Sequence, residues 1–225
     1  MPSFDSDGFE MVDDFISLKS IEIIIDDLTK FAAKEQTEKI TGIRNADKKI
    51  LSVAHCIQNN LLIEKAKTYL GQSVKLVRAI IFYKSNDNNW FVTWHQDRTV
   101  AVSNEFDCKG WGPWSVKDGV INVQPPLEVL NQMITFRVNL DNVDYDNGCL
   151  KVIPKSHMDG VLDNKQIQKV VDMNNYVNCV GAKGSALIMR PHLVHSSSKA
   201  LNITHRRILH LEFCSYKLPN GVHWV

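Results

Sequence analysis

The sequence predicts a mainly β fold with N-terminal helices, in which the helices pack on one face of an antiparallel, double-sheeted β-barrel. Three observations support this fold class. The first third of the chain has helical periodicity, the rest holds many short strand-like runs with turn residues between them, and the 225-residue length fits one large domain. We therefore expect a single domain, 1–225, with 1–72 mostly helical and 73–225 forming the β core.

The helical periodicity is clearest in "SLKSIEIIIDDLTKFAAKEQ", which spans 17–36. Its apolar residues recur at steps of three and four, the spacing that places them on one face of a helix. Ser17 is a suitable N-cap, because its hydroxyl can accept a hydrogen bond from a free N–H group of the first turn. A second helix is predicted from about Cys56 to Tyr69, and Gly71 can end it.

The strand-like runs begin at Val74, and they are "VKLVRAIIFYK" (74–84), "TWHQDRTVAV" (93–102), "MITFRVNLD" (133–141), "CLKVIP" (149–154), "SALIMR" (185–190) and "RRILHLEF" (206–213). Asn147-Gly148 predicts a hairpin turn between two of these strands. The segment 107–126 is rich in tryptophan, glycine and proline, which predicts a long ordered loop. Loops of that length in compact domains often form lids or the walls of binding sites.

Composition narrows the function classes. The chain carries 26 basic and 25 acidic residues without a basic stripe, so we expect neither nucleic acid nor a membrane surface as a partner. No apolar run reaches the roughly 18 residues of a membrane span, and the acidic N-terminus lacks signal-peptide character. The five cysteines are scattered and never in C-x-x-C spacing, which indicates reduced thiols. We expect a cytoplasmic protein that acts on a small molecule.

The run "TWHQDRTVAV" contains an unusual pair. His95 and Asp97 are two residues apart in a predicted strand, and residues i and i+2 of a strand point to the same face. An imidazole and a carboxylate therefore project side by side. Taken alone, such a pair is most often a simple hydrogen-bonded or solvated pair, so it needs a third partner to indicate a site.

The best third partner lies in "MRPHLVHSSSKA". His195 follows an apolar strand-like run, and His192 is its close competitor. Two histidines and one carboxylate with open positions form the facial triad of non-haem Fe(II) oxygenases. The same donors suit zinc with an open water position, so a zinc hydrolase is an alternative, and a non-catalytic β-barrel binding module is another.

An arginine downstream favours the oxygenase. In "RRILHLEF", Arg206 shares a face with polar residues, whereas Arg207 shares the other face with apolar residues alone. The apolar set suits a sheet face packed on helices, so Arg206 should point into the reaction cavity. A guanidinium is the natural partner for a carboxylate, and 2-oxoglutarate keeps its C5 carboxylate free when it chelates iron.

The motifs "WHQD", "NGCLKVIPKSH", "MRPHLVHSSS" and "HRRILHLEF" together resemble the phytanoyl-CoA dioxygenase family of Fe(II)/2-oxoglutarate oxygenases. The likeness runs from about Val74 to Trp224. It implies a double-stranded β-helix, a jelly-roll or cupin-like barrel. It also implies Fe(II), 2-oxoglutarate and dioxygen as cofactor and cosubstrates.

By motif position, the resemblance implies that His95, Asp97 and His195 are the iron ligands and catalytic residues. Arg206 matches the arginine that binds the C5 carboxylate of 2-oxoglutarate, and Ser197 matches a hydroxyl that assists it. The implied reaction is hydroxylation of a small molecule with release of succinate and carbon dioxide.

Three residues are candidates for substrate binding. Arg137 and Asn139 share one face of the run 133–141, and that face lines the cavity or is solvated. Trp111, in the segment 107–126, is expected to shape the pocket wall. If Arg137 faces the cavity, a small anionic substrate is favoured.

Overall fold

Helices occupy most of the first 70 residues, and strands dominate the rest of the chain. The computed structural model describes residues 2–34, 42–58, 61–85, 88–201 and 205–225. In these ranges the helices are α1 (Phe4–Asp7), α2 (Leu18–Lys34), α3 (Ala46–Lys49), α4 (Leu51–Gln58), α5 (Leu61–Leu70), α6 (Leu127–Leu130) and α7 (Asn164–Met173), with a short 3-10 helix at Ser156–Asp159. The strands are β1 (Phe9–Val12), β2 (Gly42–Arg44), β3 (Lys75–Ser85), β4 (Val92–His95), β5 (Val100–Val102), β6 (Trp114–Lys117), β7 (Val120–Val123), β8 (Met133–Asn139), β9 (Leu150–Val152), β10 (Val177–Cys179), β11 (Ala186–Met189), β12 (His195–Ser197) and β13 (His205–Cys214).

The strands form three antiparallel sheets. The large sheet has the order β1-β11-β8-β13-β3-β2, the small sheet has the order β10-β9-β12-β4, and the third sheet is β5-β7-β6. The large and small sheets enclose one cavity between them, which confirms the double-sheeted barrel that the sequence predicts. β1 and β2 form the two edges of the large sheet, so the N-terminal part supplies strands as well as helices.

The main hydrophobic core lies between the helices and the outer face of the large sheet. α2 contributes Ile21, Ile24 and Leu28, which belong to the same buried cluster as Leu209 and Leu211 of β13. Full burial of each such side chain stabilises the fold by about 1.5–3 kcal/mol relative to exposure. This core fixes which face of the large sheet turns away from the cavity.

The first predicted helix is confirmed where the structure describes it, and the second is confirmed only in part, because α4 begins at Leu51 and not at about Cys56. α2 begins at Leu18, and the hydroxyl of Ser17 accepts a hydrogen bond from the N–H of Ser20 at 3.1 Å. Residues 35–36 of the predicted first helix lie outside the described ranges. The second predicted helix is divided between α4 and α5, residues 59–60 lie outside the described ranges, and Gly71 follows α5 with φ +83°.

The alternation predicted for β13 is confirmed. Arg206, His210 and Glu212 line the cavity. Arg207 lies on the other face, where its Nη2 is 2.6 Å from Oδ1 of Asp141. One strand therefore supplies both the cavity wall and part of the helix-facing core.

The prediction of one continuous strand over 93–102 is wrong. β4 ends at His95, and β5 begins at Val100 in a different sheet. The amide of the buried Gln96 donates to the carbonyls of Gly160 and His192, both at 2.7 Å, and the N–H of Asp97 donates to the carbonyl of Pro191 at 2.9 Å. These bonds to loops replace sheet bonds, so the chain leaves the small sheet directly after His95.

The prediction of a hairpin at Asn147-Gly148 is also wrong. β8 belongs to the large sheet and β9 to the small sheet, so this turn carries the chain from one sheet to the other. The carboxylate of Asp144 accepts the N–H groups of Asp146 and Asn147 at 2.9 and 2.8 Å, which closes the turn locally. A turn motif specifies the local bend of the chain. It does not specify with which strand each flanking strand pairs.

The predicted loop at 107–126 contains a hairpin. β6 and β7 pair with each other, and Asp118-Gly119 form the turn between them with φ of +50° and +76°. An Asp-Gly pair with positive φ at both positions is typical of tight hairpins. The segment does reach the cavity, because Lys117 lines it.

None of the helices in the described ranges combines the length and the apolar character that crossing a bilayer requires.

Gly148 is expected to be sensitive to substitution for a steric reason. Its φ is +78°, and a Cβ there would lie 2.7 Å from the carbonyl oxygen of Ser198. Gly71 is a matched control, because its φ is +83° and a Cβ there would meet nothing within 4 Å. Gly71→Ala should lower the free energy of unfolding by about 1–2 kcal/mol, the cost of a left-handed residue with a side chain. Gly148→Ala should lose at least about 1 kcal/mol more, because the backbone must shift.

Denaturant unfolding of the two variants measures this difference. Equal losses would show that the contact between 148 and 198 relaxes without cost.

Candidate active site

The structure brings His95, Asp97 and His195 together. His95 ends β4 and His195 begins β12, and the two residues are direct partners in the small sheet, with ring centroids 4.2 Å apart. The carboxylate of Asp97 lies 3.6 Å from Nε2 of each histidine. One donor atom from each residue falls within 4.8 Å of the others, so the three can share one metal ion.

Backbone bonds determine which ring nitrogens face the metal position. Nδ1 of His95 lies 2.8 Å from the carbonyl of Thr93, and Nδ1 of His195 lies 2.8 Å from the carbonyl of Leu193. A carbonyl only accepts, so each Nδ1 carries the proton and each Nε2 keeps its lone pair. Two imidazole lone pairs and one carboxylate are the donor set of a non-haem iron site, and these residues fit that metal.

The charge states of His195 and Asp97 agree with this role. Burial lowers the pKa of His195 to about 4, so the ring is neutral at neutral pH and its lone pair is available. Burial acts to raise the pKa of the Asp97 carboxyl. The neighbouring imidazoles of His195 and His95 outweigh it and hold that pKa well below its usual range. The carboxylate is therefore ionised.

A second cluster shares Asp97, but its histidine has no free ring nitrogen. His210, Glu212 and Asp97 also place one donor atom each within 4.8 Å. Nδ1 of His210 accepts from Arg137 at 3.0 Å, and its Nε2 lies 3.0 Å from Oε1 of Glu212. Both nitrogens of His210 are thus engaged, whereas those of His95 and His195 that face Asp97 are free.

His192, the competitor of His195 in the sequence, lies away from this group. It is fully buried, neither ring nitrogen has a hydrogen-bond partner among the described residues, and its ring lies 6.0 Å from that of His157. Burial and then the neighbouring His157 lower its pKa to about 4, so it is a neutral packing residue. The structure therefore places His195 in the cluster, as the sequence analysis prefers.

A cavity of about 260 Å³ opens beside the three residues. Its walls come from the large sheet through β3, β8 and β13, and from the small sheet through β4, β9 and β12. Three of its basic residues, Lys84, Arg137 and Arg206, take part in no ion pair with a carboxylate of the described residues. The cavity is therefore built to receive negative charge.

Arg206 and Lys84 form a pair of buried cations at one end of the cavity. They are direct partners across β13 and β3, with 3% and 0% of their surface exposed. Burial, and next the charge of Arg206, lower the pKa of Lys84 to about 7. Burial and then Arg137 lower the pKa of Arg206 to about 10, and its Nε has no partner among the described residues.

Ser197 connects to this pair through Lys84. The ammonium of Lys84 donates to Oγ of Ser197 at 3.0 Å and to the carbonyl of Ser198 at 2.8 Å, and the Ser197 hydroxyl donates to the carbonyl of Gly148 at 2.9 Å. Lys84 is not among the site residues predicted from the sequence. A signal was present, because Lys84 shares the face of Phe82, Ile80 and Arg78 in β3, by the alternation used for Arg206.

The three predicted substrate residues have different positions. Arg137 lines the cavity. Asn139 does not, and its amide donates to Oγ of Ser185 at 2.9 Å instead. Trp111 also lies outside the cavity wall and packs in a hydrophobic cluster, with its ring 4.8 Å from that of Phe106. Asn139 is at the end of β8 and bonds to Ser185 there. Trp111 packs within a hydrophobic cluster and not on the cavity wall.

Comparison with known proteins identifies relatives. The family model described as phytanoyl-CoA dioxygenase matches residues 4–208. No curated protein matches the chain by sequence.

Several solved structures share the fold. AviO1 from Streptomyces viridochromogenes Tue57 aligns with a TM-score of 0.71 at 18% identity, covering 96% of this chain and 93% of that one. HygX from Streptomyces hygroscopicus, solved with nickel and 2-oxoglutarate bound, aligns with a TM-score of 0.69 at 13% identity, covering 94% and 84%. EctD from S. alaskensis, solved with 2-oxoglutarate and 5-hydroxyectoine, aligns with a TM-score of 0.69 at 18% identity, covering 94% and 73%. The jelly-roll fold predicted from the sequence is confirmed.

The ligand assignment can be tested by metal content. His95→Ala and His195→Ala should each lose Fe(II) while the fold is kept, because each removes one of three donors. His192→Ala should retain one Fe(II) per chain, since its ring lies outside the cluster. The measurement is iron content after anaerobic loading and desalting, with circular dichroism as the control for folding. Loss of iron in His192→Ala with retention in His195→Ala would reverse the assignment.

Proposed function

This chain belongs to the phytanoyl-CoA dioxygenase family and is a non-haem Fe(II)- and 2-oxoglutarate-dependent oxygenase. We propose that it hydroxylates a small molecule and that His95, Asp97 and His195 hold the iron. When bound, the metal supplies the activation of dioxygen that is coupled to decarboxylation of 2-oxoglutarate to succinate. The two Nδ1 bonds to backbone carbonyls hold the imidazoles in place before the metal binds. The small sheet thus provides a preorganised site.

Arg206 and Lys84 bind the C5 carboxylate of 2-oxoglutarate in this proposal. The positions of Arg206 and Lys84 are the observation that supports this assignment. Two buried cations face each other across β13 and β3, in the same cavity as the metal-binding residues and without a carboxylate partner among the described residues. A carboxylate between them would make charge-assisted bonds to both, with Ser197 orienting the lysine.

The alternatives give these cations no role. A zinc hydrolase on the same three residues has no use for a two-cation pocket deep in the barrel, and a binding module has no use for three aligned metal donors. Apolar residues of the cavity wall, including Ile80, Phe82 and Leu150, keep water from the reacting groups. These features favour the oxygenase.

The first test compares two neighbouring arginines. Arg206→Ala should weaken 2-oxoglutarate binding by at least about thirty-fold, because loss of a charge-assisted contact in a buried site costs roughly 2–5 kcal/mol. Arg207→Ala is the matched control, since Arg207 lies on the outer face and pairs with Asp141. It should leave the affinity within about twofold and lower the stability instead.

Calorimetric titration of the anaerobic Fe(II) protein measures both affinities. Equal losses would mean that the two faces of β13 are not distinct in function. Absence of 2-oxoglutarate binding to the native protein would remove the proposed function.

Lys84 provides a pH-dependent test. Its pKa in the free protein is lowered to about 7 by burial, and a bound carboxylate should raise it again. Binding should therefore take up a proton above pH 7. The affinity should be fully present below the free pKa and fall as the pH rises through the pKa of the complex.

Lys84→Met should bind more weakly and lose this pH dependence between pH 7 and 9. Titrations in buffers of different ionisation enthalpy report the proton uptake directly. The same pH dependence in Lys84→Met would assign the proton to another group.

A further inference from the structure

Arg137 is a cation of the cavity that the cosubstrate does not account for. It lies in the middle of β8, opposite His210 of β13 and Leu187 of β11. Its Nη1 donates to Nδ1 of His210 at 3.0 Å, and its guanidinium carbon lies 5.5 Å from the ring centroid of Phe82. Among the described residues no carboxylate pairs with it, although it lines the cavity.

A chain of hydrogen bonds holds this guanidinium by one edge. Nε2 of His210 lies 3.0 Å from Oε1 of Glu212, and the same oxygen accepts from Nη1 of Arg78 at 3.0 Å. Arg78 is held in turn by the carbonyl of Thr99. Glu212 can only accept when ionised, so the proton of His210 sits on Nε2 and its Nδ1 is free to accept from Arg137. The remaining donors of Arg137 are left for a ligand.

The charges around Arg137 do not cancel. Arg78 is neutralised by Glu212. Asp97 is assigned to the metal, and Arg206 and Lys84 to 2-oxoglutarate. Arg137 then keeps a charge with no assigned anion. It lies next to the reacting centre, because a ring nitrogen of its partner His210 lies within 4.8 Å of the Asp97 carboxylate. Arg137 is half-buried, and a guanidinium that has lost part of its hydration without gaining an anion is destabilised, so the arrival of an anion is favoured.

We propose that the substrate carries a carboxylate and that this carboxylate binds to Arg137, beside His95, Asp97 and His195. This inference rests on the proposed function, which assigns Lys84 and Arg206 to the cosubstrate. One guanidinium matches one carboxylate in charge and in planar geometry. A phosphate ester carries a charge of about −1.5 to −2 and favours a second cation. The other inner cations of the described cavity wall are already assigned, Arg78 to Glu212 and Lys84 and Arg206 to the cosubstrate.

The cavity limits the size of this substrate. Its volume of about 260 Å³ is below the range of about 300–1,000 Å³ usual for sites that enclose drug-sized ligands, and 2-oxoglutarate shares the space. At its rim lie Lys117 and Arg44, the latter 2.7 Å from Asp118. Because Arg44 is paired, the charge of Lys117 is the one that attracts small anions toward the interior.

The first experiment separates substrate from cosubstrate. Arg137→Gln is compared with Arg206→Ala and with Arg207→Gln, the outer-face control, by anaerobic titration of the Fe(II) protein with 2-oxoglutarate. Arg137→Gln should bind 2-oxoglutarate within about threefold of the native protein, since no charge-assisted contact to it is lost. If it loses binding as Arg206→Ala does, Arg137 belongs to the cosubstrate site and the inference is overturned while the proposed function stands. If the native protein fails to bind 2-oxoglutarate, the proposed function itself fails.

The second experiment probes the carboxylate. The probes are butanoate, hexanoate, benzoate, phenylacetate and their 2-amino and 2-hydroxy derivatives, each with its primary amide, and hexyl phosphate. Binding to the anaerobic Fe(II)·2-oxoglutarate protein is followed by calorimetry, and succinate release is followed after air is admitted. At least one acid should bind about tenfold or more tightly than its amide, the difference expected for one charge-assisted contact.

The ratio of the affinity for the acid to the affinity for its amide should fall to near one in Arg137→Gln and stay unchanged in Arg207→Gln. Arg137→Lys keeps the charge and should keep part of the preference, which guards against a variant that fails to fold. Equal binding of acids and amides by the native protein, a preference for hexyl phosphate, or no binding of any acid overturns the proposal.

Discussion

The two-residue alternation of β13 is the constraint on which both the core and the cavity depend. Leu209, Leu211 and Phe213 face the helices, whereas Arg206, His210 and Glu212 face the cavity. A slip of one residue would place the charged set in the helix-facing core and the apolar set in the cavity. The cost of burying those charges among apolar side chains makes this register strongly specified, so the hydrophobic core also aligns the active site.

Positive charge inside the barrel is the second organising feature. The fold holds Lys84 and Arg206 side by side without a carboxylate among the described residues, and like charges at this distance repel. Such an arrangement lowers the stability of the free protein and is offset when an anion binds. Burial lowers the pKa values of both groups, assisted by the charge of Arg206 at Lys84 and by the charge of Arg137 at Arg206. If 2-oxoglutarate binds here as proposed, ligand binding and stability are coupled at this end of the cavity.

The three proposed metal ligands differ from these cations, because contacts within the protein orient them without a ligand. His95 and His195 are neighbours in the small sheet, and each ring is held by a backbone carbonyl two residues earlier in the chain. Asp97 comes from the irregular segment after β4, which Gln96 anchors to two loops. A rigid pair from strands and a third donor from an anchored loop give three donors on one side, with the other side open to the cavity.

The candidate set His95, Asp97, His195 and Arg206 followed from the chemistry of the side chains and from the family resemblance. Local periodicity determined two further features from the sequence alone, the apolar face of α2 and the two faces of β13. Those features depend on residues a few positions apart, whose relative directions follow from helix and strand geometry. The tertiary structure decided what depends on residues far apart in the chain. It placed Lys84 opposite Arg206. It also placed His195, and not His192, beside Asp97. It also sent the chain from one sheet to the other at Asn147-Gly148, because register and sheet membership are set by cross-strand bonds that no local pattern encodes.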